Sequence, residues 1–424
     1  MDRIGREKPR EGTSPRITRI ARIREEGIRG FETQNPSYPW LILSSVVLVF
    51  ILSSAAEAET NWAPRIRGVA DFLLSQQTPQ GCIPDAPGAI RANQDSGMER
   101  SLLALAHAFR TTGHERYRRS LREGIEWLAS TMEKKEQPWV GSWYYAYTAK
   151  APYVALPTSP GGSVEDQRGL TSTSALFIYL VALYTEETKD SAVARAQRAH
   201  VRAALEFLME RNRGSDHLFY YGWQREKGAS AWALCRMQYA VDQADAYLGL
   251  RAGYWLLGHS QHLKAAEELA DHAHRLLFDH KHRAFGHALS PDGKLVPPIE
   301  GPDGYLAQGY LAWAFPPSDE TRDAIRWLKE RQAPDNSIRL KITDPAATLP
   351  SAAFCLGAGR LGLYPNDREQ SLRWLRDGAL TPQGGCRDVI ALTATVRNPL
   401  AGWFTSAWSA ADPCPFGLQP RGSD

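Results

Sequence analysis

The chain has 424 residues, with 50 Lys and Arg against 47 Asp and Glu and 43% apolar residues, a composition that excludes both a disordered and a strongly polyionic protein. Nine basic and six acidic residues precede Tyr38, so the net charge of +3 resides in the N-terminal segment and the remaining body is near neutral. A neutral body argues against a nucleic-acid partner, while 13 Trp and 16 Tyr require either a core or a ligand.

The first 58 residues differ in kind from the rest. A basic stretch (Arg16, Arg19, Arg22, Arg24, Arg29) precedes the almost uncharged run from Trp40 to Ala56, and Ala56-Glu57-Ala58 offers a small-x-small cleavage site. We expect an export signal or an N-terminal anchor, hence a periplasmic or extracellular protein held to a membrane only through residues 40–56 if uncleaved. Residues 59–424 then form one domain. Of five cysteines, Cys386 and Cys414 lie in Gly/Pro-rich loops and are the expected pair if any disulfide forms; Cys355, within an apolar helix, reads as a buried thiol.

Along the body, an aromatic or Leu followed by Leu recurs late in amphipathic helices: Phe72-Leu73, Trp127-Leu128, Phe207-Leu208, Leu276-Leu277, Trp327-Leu328 and Trp374-Leu375. Between them lie helices apolar almost all round: "SGMERSLLALAHAF", "LTSTSALFIYLVALY", "DQADAYLGLRAGYWLL", "DGYLAQGYLAWAF", "LPSAAFCLGAGRL" and "LAGWFTSAWSAA". A helix apolar on every side must be surrounded by protein, so these form an inner ring and the amphipathic set an outer one. Inner-to-outer turns are short and carry stop and start signals at Gly113, Gly258, Pro316-Pro317-Ser318 and Pro365-Asn366. Outer-to-inner connections are long. The alternation predicts an all-α, (α/α)6 toroid of six helical hairpins, with function concentrated on the long-loop face. Closure would place "TPQG" at Thr78 beside its second copy at Thr381.

The segment Arg67-Gly68, Phe72-Leu73, Gln77 and Gly81 resembles the QW repeat of the terpene-cyclase and prenyltransferase toroids, and "WLKERQAPDNSI" from Trp327 is a partial copy. In that repeat the Gln ties the outer-helix end to the following turn. No Asp-x-Asp-Asp motif accompanies it, which leaves terpenoid cyclisation as the minor reading. A second resemblance covers most of residues 59–410. Units such as "SLLALAHAFRTTGHERYRRSLREGIEWL" look like those of the six-hairpin glycosidase superfamily, which implies a sugar cleft on the long-loop face of an (α/α)6 toroid.

Counting back about five turns from each short turn reaches Asp95, Asp166, Asp242, Asp303 and Asp344, at the long-loop ends of inner helices. Glycosidic hydrolysis needs one protonated and one ionised carboxyl across a cleft. Asp95 and Asp166, preceding inner helices one and two, match the topological places where the unsaturated-uronyl hydrolases of that superfamily hold their acids, and are the expected catalytic pair. Asp is equally a common N-cap, and Ser96 with Glu99 reads as a capping box. The aromatic loops "WVGSWYYAYTAKAPYVALP" and "HLFYYGWQREKGASAW" suit the apolar face of a sugar. The expected substrate-binding residues are Trp143, Tyr144, Arg168, Tyr221, Trp223, Asp242, Asp245, Asp303 and Tyr305. Five histidines between His272 and His287 read as a solvated outer rim; no metal and no cofactor is expected. The reading is an exported carbohydrate-active enzyme, a glycoside hydrolase acting on an oligo- or polysaccharide. A lyase or epimerase of the same fold, a terpenoid cyclase-like toroid and a non-catalytic glycan-binding scaffold are the alternatives.

Overall fold

A computed structural model describes residues 63–378, apart from 86–87, 157–163, 301 and 339–348. The Trp40–Ala56 stretch, Asp344, the second TPQG turn, the "LAGWFTSAWSAA" helix and the Cys386/Cys414 pair lie outside the described residues.

The helices alternate as their periodicities require. The outer set is α1 (Ala63–Gln76), α3 (Glu115–Thr131), the broken rod α5 (Ser191–Ala196) plus α6 (Arg198–Phe207), α8 (Ser260–Leu277), α10 (Asp319–Lys329) and α12 (Pro365–Gly378). The inner set is α2 (Gly97–Thr112), α4 (Thr171–Thr188), α7 (Ala240–Leu257), α9 (Pro302–Ala314) and α11 (Leu349–Leu361). Every residue of α4 from Thr171 to Thr185 is buried, whereas α3 buries a single stripe through Tyr117, Leu121, Ile125 and Leu128. Successive described inner helices, from α2 to α11, pack against one another as well as against outer neighbours. Small residues set that spacing: a Cβ on Gly309 of α9 would lie 2.0 Å from the Ala353 carbonyl oxygen of α11.

Short turns close as the sequence signals. Gly113 and Gly258 take left-handed φ of 65° and 76° and cap α2 and α7, and Ser318 accepts from the Thr321 amide at the start of α10. The QW-like tie is formed twice. Gln77 Nε2 donates to the Gly81 carbonyl and to the Ser120 carbonyl of α3, both at 2.9 Å. Gln332 Nε2 likewise donates to the Asn336 carbonyl at 3.0 Å and to Ser371 Oγ of α12 at 2.8 Å.

All the described strands fall in the long outer-to-inner connections, the first two, β1 (Arg91–Ala92) and β2 (Tyr147–Thr148), pairing antiparallel. Three of them, β3 (Val164–Arg168), β4 (Gly222–Glu226) and β5 (Ala233–Cys235), form an antiparallel sheet in which Asp166 faces Arg225 and Arg168 faces Trp223. Gln238–Tyr239 pairs with Ala288–Leu289, which pairs with Leu295–Val296. Cys355 is a free, buried thiol pushed up to about 12 by burial, as its apolar helix implies. The Ser96/Glu99 capping box does not form. Ser96 is left-handed and spends its hydroxyl on Thr173 Oγ1, 3.0 Å away in α4, while Asn93 Oδ1 accepts the Met98 amide in its place at 3.1 Å. Among the described residues no helix is long and apolar enough to cross a membrane.

Candidate active site

Two groups of polar side chains gather where inner helices begin. The first centres on Arg100, in the opening turn of α2, a charged residue in an inner helix buried from Gly97 to Ala108. Its guanidinium lies 3.6 Å from Asp245 of α7 and within the field of Asp95 and Asp242, all of which hold it charged against the cost of burial. Tyr310 of α9 donates its hydroxyl to Asp245 Oδ1, and Ser172 of α4 donates to Asp242 Oδ1 at 3.0 Å. Four inner helices thus meet on one cation.

A single buried cation cannot offset three carboxylates, so protons are retained. Burial raises the Asp95 carboxyl, Arg100 pulls it down, and Asp303 and Asp245 push it up again. Asp242 is raised well above the carboxylate range by burial and then by Asp95 and Asp245; its Oδ2 is buried without a hydrogen-bond partner. Asp245 is raised less freely, because Arg100 and the Tyr310 hydroxyl favour its charge. Asp242 and Asp245 are buried, while Asp95 keeps part of its surface open to solvent. Tyr221 is also half-buried, with its phenol in the field of Asp95 and Asp242 and its ring edge-on to Tyr239 at 5.4 Å.

The second group lies on the β3–β4–β5 sheet and the loop before it. Arg168, 1% exposed, stacks under Trp139 at 4.4 Å, Tyr144 at 4.3 Å and Trp232 at 5.4 Å. It pairs with Glu136 at 3.1 Å and Glu133 at 3.6 Å, and donates to the Tyr144 hydroxyl at 3.2 Å. Asp166 is half-buried beside Arg225, at 3.6 Å. Trp223 packs edge-on to Trp139 and donates to Asn212 Oδ1 at 3.1 Å, where a wide turn ends the third outer rod.

Of the residues singled out from sequence, Asp95, Tyr221, Asp242 and Asp245 come together around Arg100, with Asp303 exposed at the start of α9 and within electrostatic reach. Asp166, Arg168, Tyr144 and Trp223 belong to the sheet group instead. Two residues leave the site. Trp143 is 1% exposed, donates its N–H to the Leu128 carbonyl at 2.9 Å and packs on Phe177, so it is core rather than a sugar platform. Tyr305 turns outward, with its ring 5.4 Å from Trp327 on the outer helix α10. Arg100 and Tyr310 are the site residues that the sequence reading does not single out. The available signal was an Arg inside an inner helix, which obliges buried counter-charges on its neighbours.

No protein-family model matches the chain, and no curated protein sequence does. Solved structures do match. A sugar epimerase from a ruminal bacterium superposes at TM-score 0.55 with 10% identity, over 82% of this chain and 99% of the epimerase. The shared fold is an (α/α)6 toroid. An unsaturated glucuronyl hydrolase from Bacillus sp. GL1 (TM-score 0.50, 15% identity) covers 79% of this chain and 95% of its own. A family 8 glycosyl hydrolase, an endoglucanase from Klebsiella pneumoniae (TM-score 0.50, 17% identity), covers 80% and 99%. At these identities the likeness concerns the toroid alone; what the site does is argued from its residues.

Proposed function

We propose that the chain is an exported carbohydrate-active enzyme that hydrolyses a glycosidic bond in an oligo- or polysaccharide, with Asp95 as the carboxyl that meets the bond. One observation carries the reading: a partly open carboxyl stands beside two buried ones, all raised by burial, around one guanidinium at the mouths of four inner helices. An acid kept protonated near neutral pH can donate to the leaving oxygen, and a second carboxyl of different environment can activate water. Asp242 is the second carboxyl we favour, because its field couples to Asp95 so that the two do not ionise together: whichever has lost its proton would activate the water, while the Asp166 carboxylate is engaged by Arg225. Asp303 and Tyr221 border the same space and would contact the sugar. The charged centre speaks against terpenoid cyclisation, which needs an apolar cavity.

The experiment is an oligosaccharide panel, scored for new reducing ends, with Asp95→Asn, Asp242→Asn and Asp166→Asn beside the wild type. Loss of roughly 100-fold to 10,000-fold in the first two, and far less in the third, is expected. Equal loss in Asp166→Asn would move the chemistry to the sheet. Products carrying a conjugated double bond, or rearranged sugar without new ends, would replace hydrolysis by lyase or epimerase action.

A further inference from the structure

We propose that Asp85 is the positioning residue of this site: its carboxylate, seated against the backbone of residues 93–97, fixes the segment that presents Asp95. The inference rests on the reading of Asp95 as the reacting acid. The segment is unusual. Asn93, Asp95 and Ser96 have φ of 57°, 50° and 66°, three non-glycine residues in left-handed backbone within four positions. Such conformations are costly for residues with a Cβ, and a run of them persists only where surrounding groups over-determine it.

Asp85 is one of those groups and is 4% exposed. Both its oxygens face the Gln94 amide, at 3.1 and 3.3 Å, and the Asn93 amide also donates to it. A Cβ on Gly97 would come within 3.0 Å of its Oδ1, so the carboxylate lies against the start of α2 as well. Successive amides turned inward by left-handed backbone form a nest for an anion, and here the chain fills the nest with its own side chain. Elsewhere the segment is tied by Asn93 Nδ2 to Glu99 at 3.3 Å, Ser96 to Thr173, and the Asp95 amide to the Tyr145 carbonyl at 3.2 Å. Those ties hold its ends and its outer side. Among the described residues, Asp85 is the side chain seated on the inward amide of Gln94. The ionisable groups around it are Arg91, Asp95, Cys82 and Tyr145, and its carboxyl is pushed up to about 7 by burial against the pull of the two amides and Arg91.

The test compares full-length wild type with Asp85→Asn, Asp85→Ala and Asp95→Asn. The readouts are kcat and KM, amide exchange of residues 93–97, and carboxyl-carbon NMR titration of Asp-labelled protein, with the Asp95 signal assigned by its absence in Asp95→Asn. Expected for Asp85→Asn is a fall in kcat of about 10-fold to 100-fold with KM within about 2-fold, as for a reacting group displaced by about an ångström. Exchange of 93–97 should quicken and the Asp95 titration should move down, because a released segment returns that carboxyl to water. A side chain that served stability alone would lower Tm without moving the Asp95 titration. Should Asp85→Ala fail to fold, Asp85→Asn keeps one acceptor and carries the test. Unchanged titration, exchange and kcat in Asp85→Asn overturn the inference, even where Asp95→Asn is inactive and the acid assignment stands. Full turnover in Asp95→Asn removes the acid assignment instead, and a displaced Asp95 titration in Asp85→Asn would still support the positional link.

Discussion

The Arg100 centre and the Arg168 clasp use the same residue types to opposite ends. Each buries an arginine beside acids and phenols, yet Arg100 faces three carboxyls that cannot all ionise, whereas Arg168 is sandwiched by three rings and neutralised by two glutamates at the edge of solvent. In the first, charge is left unbalanced and protons become movable. In the second, cation–π contact and ion pairing satisfy the guanidinium and lock the loop before β3 onto the sheet. The contrast lies in the charge count: carboxyls outnumber the cation around Arg100, and around Arg168 they match it with help from the rings.

The comparison breaks most sharply on turnover. Asp95→Asn should abolish activity by roughly 100-fold or more, while Arg168→Lys, which keeps the charge but loses the planar stack, should leave kcat within about 10-fold. Equal losses would mean that the clasp is part of the chemistry. Next in size is stability: Arg168→Ala should cost about 3 kcal/mol in urea unfolding, by unstacking three rings and leaving Glu133 and Glu136 without their cation.

Smaller, and of distinctive sign, is the pH dependence of Glu99, beside the Arg100 centre. Burial pushes it up to about 8, and its Oε2 is buried without a partner. Since its folded value lies above the unfolded one, the folded state holds the proton longer, and stability falls as pH rises between about 4 and 8. Glu99→Gln should therefore raise Tm by about 2–4 °C near pH 8 and change it little near pH 4, in calorimetric scans across that range. Least of all, Tyr305→Phe should leave turnover within about 2-fold, because the ring faces α10; a larger loss would return Tyr305 to the site.

Much of this was legible. The apolar belts from Leu170 and from Asp242 fixed α4 and α7 as inner helices, and Gln77 and Gln332 announced the ties between outer helix ends and turns. Asp95, Asp242 and Asp303 could be placed near the long-loop ends of inner helices by counting turns. The placing of Asp166 with Arg225 could not be read, because β3 pairs with β4, which lies beyond α4, α5 and α6, and strand register depends on contacts far apart in the chain. Trp143 and Tyr305 were misjudged for a related reason: an aromatic on a long loop or a helix start has no periodic neighbours to say which way it turns. Ser96 and Glu99 match a capping box, yet the left-handed turn at Asn93 and Ser96 sends both side chains elsewhere.

By itself the sequence determined the alternation of inner and outer helices, since helix periodicity, apolar girth and turn residues are local properties that each segment carries with it. Only the tertiary structure decided that Arg100, Asp242, Asp245 and Tyr310 share one charge balance and that the Asp85 carboxyl seats against the backbone at Gln94 and Gly97. Electrostatic coupling depends on distance and burial, which chain spacing does not encode until the helices have packed.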